Sequence, residues 1–149
     1  MADNIASILN ELVETSKDGE KGFRTAAEDT KSAELKAVFL KRAQDCAKGA
    51  ADLRQQVALL GGKPEEGGSV AGAVHRGWVN LKAAVSPRTD LAILEECERG
   101  EDVAKAKYRD ALKASLTEDI RAVVQRQYDG VIRNHDQIRD LRDRYKAKA

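Results

Sequence analysis

Apolar residues recur every three or four positions along most of the chain, the spacing of one face of an α-helix. Over roughly 3–29, Ile5, Ile8, Leu9, Leu12, Ser16, Gly19, Phe23 and Ala26 fall on one stripe, and Asp3 or Asn4 is placed to cap its start. A second stretch, roughly 32–60, opens at Ser32 and aligns Leu35, Val38, Phe39, Cys46, Gly49, Ala50, Leu53, Val57 and Leu60. Gly61-Gly62 stops it with Pro64 just beyond, the usual order at a helix C-terminus. A third, roughly 88–115, aligns Leu91, Leu94, Cys97, Glu101, Ala104, Tyr108 and Leu112. The fourth, roughly 118–147, follows Thr117 and begins with Glu118 and Asp119, acids suited to the positive end of a helix dipole. It aligns Ile120, Val124, Gln127, Val131, His135, Ile138 and Tyr145, and its basic tail suits the other end of that dipole.

Short polar links, Asp29–Ser32 and Ser115–Thr117, make the first two and the last two helices antiparallel neighbours. The middle link is far longer, running from Gly61 to Pro87. Inside it Ser69 heads a short amphipathic helix with Val70, Val74, Trp78, Leu81 and Val85 on one side. Such a link can run the length of a bundle and set helices two and three parallel. The expected fold is therefore all-α: one domain over 1–149, a four-helix bundle with a single long crossover, the ferritin-like topology. A simple up-down bundle with a bulky loop is the alternative.

Composition narrows the function classes. Lys and Arg total 26 against 25 Asp and Glu, a net charge of +1 that gives no drive toward nucleic acid or an anionic membrane. No run of 18 apolar residues exists to span a bilayer, and the first twelve residues do not read as a secretory signal. Two cysteines, Cys46 and Cys97, are too few for a disulfide scaffold, so a reducing cytoplasm is expected.

The informative residues are charged ones that break the apolar stripes. At about 100° per residue, Glu20 falls on the inward flank of helix one, with Glu11, Glu14, Asp18 and Glu28 outside. Arg42 is central on helix two; Glu98, Glu101 and Lys105 face inward on helix three, and His135 on helix four. Counted along the bundle at roughly 1.5 Å per residue, Glu20, Arg42, Glu98 and His135 share one depth, about 15 Å from one end. Two readings follow. In one, Arg42 and Lys105 neutralise Glu20, Glu98 and Glu101, with His135 hydrogen-bonded among them, a network that sets register. In the other, Glu20, Glu98, Glu101 and His135 offer oxygen and imidazole ligands to iron or manganese. A di-iron site asks a Glu from each of two helices and Glu-x-x-His from each of the others. Ile132 stands three residues before His135, and helix two supplies Arg42, Asp45 and Cys46 with no Glu or His. A guanidinium at Arg42 would also put a permanent charge where a second cation should sit.

DGEKGF (18–23), GSVAGAVHRGW (68–78), ILEECERGED (93–102) and RQYDGVIRNHDQIRDLRD (126–143) resemble a bacterial ferritin-like four-helix-bundle family, a domain of unknown function. The resemblance covers nearly the whole chain and implies a ferritin-like fold and a soluble bacterial protein. It brings no activity with it. The wider group includes stress-induced proteins and di-iron oxidases, which implies a stress-associated role; the di-iron ligands carry over only at Glu20, Glu98 and His135. The expectation is a non-catalytic cytoplasmic bundle without a cofactor, working through a homo-oligomer (a dimer is favoured) or a protein partner. His75, Arg76 and Trp78 on the crossover form the candidate partner surface. A metal-binding protein, either a di-iron or manganese oxidase or an iron-handling protein, is the alternative.

Overall fold

The computed structural model describes residues 2–64 and 89–148. Four helices account for them: α1 (Ala2–Asp29), α2 (Ala33–Leu59), α3 (Asp90–Leu112) and α4 (Glu118–Lys148). Side-chain caps set three starts. Ser32 Oγ accepts from Leu35 N at 3.2 Å, Thr89 Oγ1 from Ala92 N at 3.1 Å and Thr117 Oγ1 from Ile120 N at 3.4 Å. Each satisfies a first-turn amide that the helix itself cannot. At the end of α2, Gly61 takes a φ of +79°, and Gly61 and Gly62 donate back to the carbonyls of Ala58 and Val57, both at 3.0 Å. Only glycine enters that backbone region cheaply, and the residue stops the helix.

Pairings between the helices set the topology. Phe23 meets Phe39 with ring centroids 6.1 Å apart, and Asn10 Nδ2 donates to the Lys63 carbonyl at 3.0 Å, so α2 runs back along α1. Thr30 Oγ1 donates to Asp90 Oδ1 at 2.6 Å, while Lys107 bonds Glu11 at 2.6 Å, so α3 also opposes α1. Tyr108 reaches Gln127 and Glu98 reaches Arg142, which makes α4 antiparallel to α3. The chain therefore leaves α2 beside the N-terminal part of α1 and enters α3 beside its C-terminal end. Helices α2 and α3 are parallel, and the end of α2 and the start of α3 lie at opposite ends of the bundle. An up-down bundle would start α3 where α2 ends, and is excluded. The short helix expected within the link, and His75, Arg76 and Trp78 with it, lie outside the described residues.

The core falls into two apolar clusters. One gathers Leu9, Leu12, Val13, Leu53, Val57 and Val124; the other gathers Phe23, Leu35, Phe39, Ile93, Leu94 and Ile138. Each fully buried side chain of this kind stabilises the fold by roughly 1.5–3 kcal/mol. Between the clusters, at mid-bundle, the interior turns polar.

Candidate functional site

Arg42 and Glu101 form the centre of that polar middle. Arg42 Nε donates to Glu101 Oε1 at 2.6 Å and Nη2 to Oε2 at 3.4 Å, with 9% of Arg42 and 2% of Glu101 exposed. The guanidinium lies 5.8 Å from the Phe23 ring centre, which adds a cation–π contact. Burial alone would lower the Arg42 pKa, but the charge and hydrogen bond of Glu101 beside it oppose that, and the guanidinium stays charged. Burial pushes the neighbouring Cys46 thiol up to about 12 against the pull of Arg42, and the thiol is neutral at pH 7.

About two turns further along runs a hydrogen-bond chain with a member from every helix. Tyr108 Oη donates to Gln127 Oε1 at 2.6 Å; with that proton committed, Ser16 Oγ donates to Tyr108 Oη at 3.2 Å. Gln127 Nε2 closes the chain on the Gly49 carbonyl at 3.2 Å. Burial raises the Tyr108 pKa above its ordinary value, and the Ser16 bond offsets part of the rise. The phenol is a fixed neutral link.

The remaining residues expected in the layer share its depth but not its centre. Glu98, Glu101 and Asp102 lie within about 6 Å of one another along α3 at 1.5 Å per residue. They point apart, and each holds a different partner. Glu98 pairs with Arg142 rather than Arg42. His135 is buried, but its Nε2 bonds Asp102 Oδ1 at 2.6 Å and its Nδ1 meets Asp136 Oδ1 at 3.3 Å, both toward the surface. Glu20 does not join them. It sits part-exposed on α1, held by Arg24 at 2.9 Å and Lys17 at 3.4 Å from its own helix. Lys105 is half-buried and takes no part in the Arg42–Glu101 pair.

Two acids depart from the helical-phase expectation. Asp18, expected outside, is 1% exposed. The interior positions around it, Thr15, Ser16 and Gly19, are small or polar, so no apolar side chain marks the phase of α1 there. Glu96 is fully buried and paired with Arg99 one turn on. Its spacing from Ile93 and Gly100, both buried, is the signal that could have found it.

A ferritin-like fold raises the question of a di-metal centre, and these residues do not fit one. Among the described residues no three His, Cys, Asp or Glu side chains come together to hold a metal ion. Glu101, buried on α3, is claimed by the Arg42 guanidinium.

A model of the family described as "Domain of unknown function (DUF2383)" matches residues 4–114, most of the chain. The protein belongs to that family. The DUF2383 match takes in α1, α2 and α3 with both residues of the central ion pair, and ends before α4. No curated protein matches the chain. Among solved structures, the DUF2383 chain is similar to the DPS protein from Vibrio cholerae O1, a member of a broad superfamily of ferritin-like diiron-carboxylate proteins. The TM-score is 0.71 over 94% of this chain and 89% of that one, at 19% identity. That likeness shows the ferritin-like fold and says nothing of activity. Among the described residues of this DUF2383 protein, no helix is long and apolar enough to cross a membrane.

Proposed function

We propose that this protein is a ferritin-like bundle that works without a metal centre, as a stress-associated, non-catalytic protein of the cytoplasm acting through self-association or a protein partner. The observation that carries this reading is the Arg42–Glu101 pair. A di-metal centre needs carboxylates free to neutralise cations, whereas here a permanent cation is built into the interior and spends the central carboxylate. Of the acids near that level, Glu20 and Glu98 are bonded to arginines, Asp102 to His135 and Asp45 to Lys41. The stress association rests on the family resemblance alone. Self-association as a dimer is kept from the sequence reading; Leu40 and Leu59, 41% and 74% exposed, stand 19 residues apart on α2 and form no common apolar patch.

Protein purified without chelator from iron- and manganese-rich medium is expected to carry well under one equivalent of either metal by elemental analysis. Near-stoichiometric metal, lost on Glu98→Ala or His135→Ala, would overturn this reading in favour of a metal-binding protein. Light scattering checks the dimer; a monomer mass at micromolar concentration removes that part of the reading.

A further inference from the structure

A cavity of about 560 Å³ opens at mid-bundle, where α2 and α4 make the sparsest contact of the neighbouring helix pairs. Pockets for small organic molecules span roughly 300–1,000 Å³. Every helix gives the wall a glycine: Gly19, Gly49, Gly100 and Gly130. A glycine inside a helix costs roughly 0.5–1 kcal/mol relative to alanine. Neither backbone nor packing requires Gly49 or Gly130. Neither has a positive φ, and a Cβ at either would find its nearest neighbour at an ordinary 3.6 Å. What these two glycines preserve is space.

The charges around that space define what it would take. Glu101 grips Arg42 side-on, through Nε and Nη2. The end-on face of the guanidinium, Nη1 with the second hydrogen of Nη2, is not used by Glu101. That face is not among the sealed, unpartnered polar atoms of the described residues, so it borders the cavity, and a carboxylate meets a guanidinium edge with two parallel hydrogen bonds. The other acids of the lining are already committed: Asp45 to Lys41 at 2.8 Å, and Asp18 to a contact of its own. Arg133, exposed at the mouth, enters no ion pair among the described residues. Among the described residues the uncommitted charge of the lining is therefore positive, and Phe23 and Val131 give it an apolar side.

We propose that this cavity binds a small organic monocarboxylate, its head on the end-on face of Arg42 and its apolar body against Phe23 and Val131. The test is an amide NMR titration with hexanoate, hexanamide and hexylamine, which share one body and differ in the head. Hexanoate is expected to shift the amides of Gly49 and Gly130 saturably. Hexanamide should bind roughly tenfold more weakly, because charge-assisted hydrogen bonds are about twice as strong as neutral ones, and hexylamine should not bind. Gly130→Leu fills the mouth and should abolish the hexanoate response without lowering the melting temperature. Arg133→Gln, an exposed change, should weaken the response with the fold intact. Equal binding of all three probes overturns the proposal. So does an unaltered response in both variants, or no saturable response to hexanoate, which would mean a cavity holding water only.

Discussion

Arg42 Nε and Glu101 Oε1 meet at 2.6 Å between two parallel helices, and their side chains are only 10% and 2% exposed. The pair ties α2 to α3, elements joined only through the long crossover. Buried ion pairs return little net stability because desolvation opposes the Coulomb gain, but breaking one strands a charge in the interior. Arg42→Ala and Glu101→Ala are each expected to cost about 3–5 kcal/mol in urea denaturation, whereas the double change Arg42→Met/Glu101→Leu should recover most of it. A single variant that unfolds at the parental midpoint would show that the pair is solvated.

The chain Ser16–Tyr108–Gln127–Gly49 joins all four helices through one phenol. Tyr108→Phe removes its centre and leaves buried Ser16 and part-buried Gln127 each short of a partner. The expected cost is about 1–3 kcal/mol, the penalty of an unsatisfied buried group. Ser16→Ala deletes only the terminal donor and should cost less than Tyr108→Phe in the same denaturation series.

Two mid-helix glycines should respond with opposite signs. A Cβ on Gly19 would stand 2.9 Å from Cys46 Sγ, whereas one on Gly49 has 3.6 Å to Gln127. Gly49→Ala is expected to stabilise by roughly 0.5–1 kcal/mol through helix propensity. Gly19→Ala should destabilise, and should turn stabilising when Cys46→Ala removes the sulfur. Thermal melts of the four variants read both signs, and a Gly19→Ala melt above the parent would place α1 further from α2.

Cys46 makes stability fall in alkali. Burial raises its pKa from 9.0 to about 12, so the unfolded chain ionises first and binds fewer protons across that interval. The raised pKa means that the contribution is complete below pH 9.0 and is lost as pH climbs toward about 12. Cys46→Ala should flatten the decline in denaturation midpoints between those pH values. At neutral pH the thiol should resist alkylation until the protein unfolds.

The helices and the crossover were legible because long amphipathic stretches, capping residues and link lengths speak directly in sequence. Leu35, Leu53, Val124 and Ile138 fell on the inner stripes and are 1% exposed or less. The polar middle was legible in depth but only partly in direction. Arg42 and Glu101 stood on well-marked apolar stripes and face inward. Glu20 and Asp18 exchanged roles because the neighbouring interior positions of α1 carry no large apolar side chain. Asp102 was passed over because its side chain is 60% exposed, an ordinary surface acid until the imidazole of His135 reaches out to it. Partners across helices depend on side-chain reach, which spacing along one helix does not encode.

An interior cation supplied by the chain rather than by a metal is tested most directly by a thermal melt with and without chelator. With Arg42 as that cation, excess EDTA should leave the melting temperature unchanged to within about 1 °C, because a ligand that is not bound contributes no linkage stability. A drop of several degrees that iron or manganese restores would contradict it.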